Sequence, residues 1–129
     1  MNKTAVSCGG ETPLTFDTYE VEAARTAVGF RNGRDKLLCA ALGLAGEAGE
    51  FADAVKKMLF HGHPNDPAKL VKEIGDVLWY CALAAHSLGV DLAEVAARNI
   101  AKLRMRYPAG FSTEASQARV DVEQPREPS

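Results

Sequence analysis

The 129-residue sequence predicts an all-α fold, a four-helix bundle-like subunit, and three observations carry that prediction. Apolar residues recur at three- and four-residue steps over long stretches, the repeat of a helix face. No stretch alternates apolar and polar residues convincingly enough to mark a strand. Asp, Asn, Pro and Gly stand where such helices would start and stop.

Each element follows in chain order. Residues 1–13 are polar and Gly-rich and are expected to be a flexible tail, and a helical domain is expected over 14–112. The first helix spans about Thr15–Val28, with Phe16, Tyr19, Ala23 and Ala27 on one stripe and Thr15 or Asp17 as its cap. Gly29, Asn32 and Gly33 then break the pattern. The second runs from near Asp35 to about Phe60 through Leu38, Leu42, Ala45, Ala52, Val55 and Leu59. At ~1.5 Å per residue it would reach about 35–40 Å, the spine of a small domain. The loop from His61 to Pro67 ends it; His61 and His63 lie there without an acid cluster beside them and receive no role. Asp66 is a natural N-cap for a third helix, with Pro67 in its first turn and Gly89 beyond its end near Leu88. From Val77 to Leu88 this helix is apolar nearly all round, so it needs cover on several sides. In so short a chain part of that cover is expected from a second subunit. Asp91 precedes a fourth helix that ends at about Arg106, before Pro108. Residues 113–129 read as a tail, with Ser112-Thr113-Glu114 able to cap one more short helix before Arg119.

Composition narrows the function classes. With 47% hydrophobic and 25% charged residues, the chain suits a single globular domain with a real core. No apolar run approaches the roughly 18–20 residues of a membrane span. The start, MNKTAVSCGGETP, lacks the apolar block of a secretory leader. A net charge of −2 supplies no basic field for a nucleic-acid polymer. Cys8, Cys39 and Cys81 share no metal-ligand spacing, and the latter two read as small buried hydrophobes in a reducing cytosol. The expectation is a cytoplasmic protein with neither membrane nor nucleic-acid partner.

Four carboxylates carry the chemistry. Glu47 and Glu50 form one acid-x-x-acid step in the second helix, and Glu73 and Asp76 form another in the third. Each pair lies on one helical face, where like charges cost a few tenths of a kcal/mol. Both sit among apolar residues, so antiparallel packing of the two helices would bring all four acids together. Such a cluster needs cations, and oxygen-only ligands suit Mg²⁺ or Mn²⁺. The bland alternative is a solvated stripe held by Lys69 with Glu73 and Lys72 with Asp76. Glu47 and Glu50 have no such partner, since Phe51 and Ala54 stand four residues on. Asp53 has one in Lys57 and is left as a surface residue. Di-iron bundles use Glu-x-x-His steps, and no histidine occupies that position here. Gly43, Gly46, Gly49 and Gly75 each cost ~1 kcal/mol relative to alanine, which points to close helix approach or to room for a ligand.

The blocks ALGLAGEAGEFADAVKK, KEIGDVLWY and NIAKLRMRYPAGFS, with Glu47-x-x-Glu50, 22 intervening residues and Glu73-x-x-Asp76, resemble the MazG-like nucleoside triphosphate pyrophosphohydrolases along most of Leu37–Ser112. The resemblance implies helical dimers or tetramers and cleavage of NTPs or dNTPs to the monophosphate and pyrophosphate, with the four acids binding Mg²⁺. It places Asn99-x-x-Lys102 and Arg106-Tyr107-Pro108 near the phosphates. Asn99, Lys102 and Arg106 also recur at three- and four-residue steps, on one face of the fourth helix. Lys57 and Lys69 flank the acid pairs as further candidates. Tyr80, one turn after Asp76, either stacks on the base or ribose or is a core aromatic with its hydroxyl at the edge; Trp79 is assigned to packing. Two other readings stand beside this one: a phosphoribosyl-ATP pyrophosphohydrolase-like enzyme, and a non-catalytic helical oligomerisation module stabilised by metal.

Overall fold

The computed structural model describes Val6 and residues 13–122; the remainder of the expected 1–13 tail, including Cys8, and residues 123–129 lie outside the described residues. Five helices are present, α1 (Phe16–Ala24), α2 (Gly33–Phe60), α3 (Pro67–Ser87), α4 (Leu92–Arg106) and α5 (Thr113–Ala118). No strand occurs among the described residues, so the all-α prediction holds. The chain forms two compact units, Met1–Leu92 and Ala93–Ser129.

In the first unit, Thr15 caps α1 through a reciprocal box. The Thr18 N–H donates to the Thr15 hydroxyl, and the Thr15 N–H donates to the Thr18 hydroxyl. α1 ends at Ala24, short of the expected Val28. The cause is competition for one carbonyl. The Thr26 N–H, the Thr26 hydroxyl and the Trp79 indole N–H all donate to the Ala23 oxygen. Ala27 would need that oxygen to continue the helix; its N–H turns to Ala24 instead.

α2 begins at Gly33, two residues before the expected start, because the Asn32 side chain accepts from the Asp35 N–H at 2.9 Å. Asn32 is therefore a cap as well as a breaker. Asp66 caps α3 as expected, accepting from Lys69 N–H at 3.1 Å, with Pro67 in the first turn. Gly89 supplies the left-handed turn after α3 at φ +71°. α2 and α3, joined by the short 61–66 connection, pack against one another as an antiparallel pair.

The buried residues are few and mostly small: Ala40, Ala82, Leu83, Ala85 and Leu92 among those described. Ala82, Ala85 and Leu92 form the core cluster, with Tyr19, Leu78, Cys81 and Val90 packed on it. Trp79 has the packing role expected of it, its indole N–H reaching the Thr26 hydroxyl at 3.0 Å. The Leu92 N–H donates to the Glu20 carboxylate at 2.9 Å, tying the end of this unit to α1. Cys39 and Cys81 are half-buried free thiols, less enclosed than the small buried hydrophobes expected.

In the second unit, Ser112 caps α5, accepting from Ala115 N–H at 3.1 Å. Arg119 ends α5 in the left-handed region at φ 49°, and the Val122 N–H closes the following turn on the Arg119 carbonyl. The short helix anticipated after Ser112 is thus formed.

Candidate metal and nucleotide site

The antiparallel register of α2 and α3 sets Glu47 opposite Glu73 and Asp76. One carboxylate oxygen from each lies within 4.8 Å of the other two, and all three side chains are half-buried. No ion pair reaches any of them among the described residues. Lys69 and Lys72, placed one turn upstream to neutralise Glu73 and Asp76, do not do so. Three carboxylates at this range repel one another, and partial burial strengthens the repulsion. A bound cation removes it. The spacing is close to the roughly 4–5 Å between opposite ligands of one hard cation, and the donor set is oxygen alone. The residues present therefore fit a divalent metal of the Mg²⁺ or Mn²⁺ type.

Glu50 stands apart. It is exposed, one turn along α2 from Glu47 and outside the cluster. The register of α2 on α3 gathers three of the four expected acids, both of the α3 pair but only Glu47 of the α2 pair.

The glycines divide in the same way. A Cβ on Gly43 would overlap the Tyr80 ring at its Cε1, so the absence of a side chain lets the aromatic close on the α2 backbone. At Gly46, Gly49 and Gly75 nothing lies within 4 Å of a Cβ position, leaving bare backbone beside the acids. Tyr80 and Gly43 are each one turn from the cluster, from Asp76 and Glu47 respectively. Above them opens a groove of ≈ 570 Å³, also lined by Arg31, Asp35, Leu38, Cys39 and Leu42. Arg31 Nε donates to Asp35 at 2.7 Å on its rim. Asp35, Cys39 and Leu42 are not site candidates in the sequence, since nothing local signals that they converge on Tyr80.

Lys57 and Lys69 come together at the loop end of the hairpin, where they line a small cleft with His63 and Asp66. Lys57 is held by Asp53 at 2.5 Å, and Lys56 joins at 2.6 Å. The two ammonium groups hold the Asp53 carboxyl down at about 2, and Asp53 raises Lys57. The pairing anticipated for Asp53 is formed.

Asn99 and Lys102 are exposed on α4. Arg106 is engaged instead: its Nε and Nη2 donate to the two carboxylate oxygens of Asp121. Asp121 raises the Arg106 pKa, and Arg106 holds the Asp121 carboxyl below the usual range. The Arg106 guanidinium also lies 5.8 Å from the Tyr107 ring centre. Interaction with Ser116, then with Arg106, lowers the Tyr107 phenol.

The family profile described as MazG nucleotide pyrophosphohydrolase domain matches residues 37–111. The chain belongs to the MazG family. Gene 37 protein of Mycobacterium phage L5 is 37% identical over 105 residues, spanning 75% of this chain and 92% of that protein. No solved structure matches. The MazG segment contains all four motif acids, Tyr80 and the candidates of α4. Arg31 and Asp35 of the groove lie before it, and Asp121 lies beyond it.

Proposed function

We propose that this MazG protein is a Mg²⁺-dependent nucleoside triphosphate pyrophosphohydrolase. It converts NTPs or dNTPs to the monophosphate and pyrophosphate, and it serves to clear unwanted nucleotides in the cytoplasm. The reading takes residues 14–112 as the functional domain. The observation that carries it is the uncompensated Glu47–Glu73–Asp76 cluster, one helical turn from a groove lined in part by Tyr80.

Glu47, Glu73 and Asp76 would hold the metal, with Glu50 as the further acid of the motif. When bound, a divalent ion neutralises phosphate oxygens and lowers the pKa of water. The chain's own residues do the rest. Tyr80 offers a face to the base or ribose, and the Gly43 backbone lets it sit close. Glu50, exposed and outside the cluster, or Glu47 accepts the proton of the attacking water. The water oxygen bonds to the α-phosphorus as the bond to the bridging oxygen breaks, and pyrophosphate leaves. Asn99, Lys102, Arg106 and Tyr107 are taken as phosphate-binding, with Lys57 and Lys69 as further cationic contacts.

The working form is a homodimer or homotetramer. Leu42 and Phe60 on α2 are 67% and 77% exposed, and the buried core is small for a chain this long. Apolar surface on this scale is covered in a stable protein, and a second copy would do so. No described helix is long and apolar enough to cross a membrane.

The test is hydrolysis of the common NTPs and dNTPs with Mg²⁺ or Mn²⁺, with products resolved chromatographically and Glu50→Gln and Asp76→Asn run alongside. Monophosphate plus pyrophosphate, lost in both variants, is the expected result. Release of orthophosphate would mean attack at another phosphorus and overturn the reaction proposed. Silence on this panel but turnover of phosphoribosyl-ATP would change the substrate. Silence on both would leave a metal-stabilised helical module.

A further inference from the structure

We propose that the cavity between α1 and α3 binds a small aromatic carboxylate of the benzoate type, with its ring against Trp79 and its anionic group on the Lys36 ammonium. This site stands apart from the hydrolytic one. All of its lining residues fall in the first compact unit, and none belongs to the acid cluster or to the Tyr80 groove. On α3 it uses the face of residues 79, 82, 83 and 86, about 100° around the helix from the face of Glu73, Asp76 and Tyr80.

Two sequence patterns make the space. Residues 20, 23, 24 and 27 recur at helical steps on one side, and 79, 82, 83 and 86 on the other. Half of these positions are alanine, Ala23, Ala24, Ala27 and Ala82, so little side-chain volume fills the gap. Trp79 is pinned between the two faces. Its indole N–H donates to the Ala23 carbonyl at 3.3 Å and to the Thr26 hydroxyl at 3.0 Å, which fixes the ring as a wall. The cavity left measures ≈ 160 Å³. Protein interiors are close-packed, and an apolar cavity of about 150 Å³ takes up one benzene ring. Two lining residues, Ala24 and His86, are exposed, giving a ligand access.

Charge selects the rest of the ligand. Glu20, Lys36 and His86 are the ionisable groups of the lining, and none is ion-paired among the described residues. Glu20 is nonetheless engaged, its Oε1 accepting from the Leu92 N–H at 2.9 Å. Lys36 is half-buried in the first turns of α2 with no carboxylate in reach. A partly desolvated ammonium gains from a counter-charge, and an entering carboxylate supplies one through a charge-assisted hydrogen bond. A planar ring matches Trp79, which an aromatic partner meets offset or edge-on. One ring and one negative charge therefore describe the occupant.

Trp79 is the single tryptophan of the chain, so its fluorescence reports on this wall directly. The full chain is titrated with benzoate, benzyl alcohol, acetate and benzylamine, with calorimetry giving each Kd. Benzoate should shift the Trp79 emission saturably. Benzyl alcohol and acetate, each lacking one half of the ligand, should bind about tenfold more weakly or worse. Lys36→Met should weaken benzoate by about tenfold and leave benzyl alcohol unchanged. Ala27→Leu, which fills the cavity, should abolish the response to both without lowering the melting temperature. Should Ala27→Leu fail to fold, Ala24→Leu at an exposed lining position takes its place. No saturable response of wild type to benzoate overturns the inference. Benzoate binding that Lys36→Met and the cavity-filling variant leave unmoved places the anion elsewhere and overturns it too. Benzylamine binding in place of benzoate, lost in Glu20→Gln, would reverse the charge of the occupant and refute the assignment. None of these readouts requires turnover, so failure of the hydrolase reading is told apart from failure here.

Discussion

Replacing Gly43 with alanine sets two opposed effects against each other at a single carbon. In a helix interior alanine is favoured over glycine by about 0.5–1 kcal/mol. At Gly43, however, the new Cβ would overlap Cε1, Cζ and Cδ1 of Tyr80. The ring is restricted on one side by Trp79, although the groove lies open on another. Trp79 stands edge-on to it, with centroids 4.9 Å apart and planes at 87°, and Trp79 is hydrogen-bonded to Ala23 and Thr26. Forcing a methyl into a packed site costs typically about 1–3 kcal/mol. The net effect is a loss of about 0–2.5 kcal/mol. Gly46, one turn on, is the internal control, because nothing lies within 4 Å of its Cβ position. There the same substitution should gain about 0.5–1 kcal/mol. The two variants should therefore differ by several degrees in melting temperature, Gly43→Ala below Gly46→Ala. Thermal unfolding followed by circular dichroism at matched protein concentration measures the gap. Gly43→Ala should also raise KM, since Tyr80 lines the groove. A Gly43→Ala protein melting at or above Gly46→Ala would refute the close approach of Tyr80 to α2. A loss at Gly46 as large as at Gly43, and dependent on protein concentration, would show a second copy lying over that open backbone.

Two further outcomes follow from the described geometry. Asp66→Ala removes the carboxylate that accepts from Lys69 N–H at the start of α3 and should cost about 1 kcal/mol in chemical denaturation; an unchanged midpoint would show that Pro67 alone sets that helix start. Arg106 depresses the Asp121 carboxyl below its unfolded value of about 3.9, so the contribution of the pair is fully present above that pH and is lost as pH falls through the lower folded value. Amide exchange over residues 112–122 should accelerate in that acid range in wild type, whereas Asp121→Asn should already exchange fast near neutral pH and show no acid step.

Much of this protein is legible along the chain because the relevant forces act over a few residues. Asp66-Pro67 announces α3 through a cap and a fixed φ, and Ser112 announces α5 in the same way. The paired acids lie on helix faces because residues three apart do so in any α-helix. The MazG resemblance rests on three such local blocks and agrees with the family match.

Tertiary packing decided the remainder. The end of α1 moved to Ala24 because a side chain from α3, Trp79, competes for the Ala23 carbonyl, 56 residues away in sequence. Glu50 separates from the other three acids through the register of α2 on α3. Gly43 and Gly46 look alike in sequence, yet only one meets Tyr80. Arg106 shares its helical stripe with Asn99 and Lys102, but its partner arrives from beyond α5, 15 residues on. Periodicity and caps are properties of a few neighbouring residues and can be read one helix at a time. Register, close approach and the partner of a buried charge depend on how several helices and turns pack at once, and no local pattern encodes that sum.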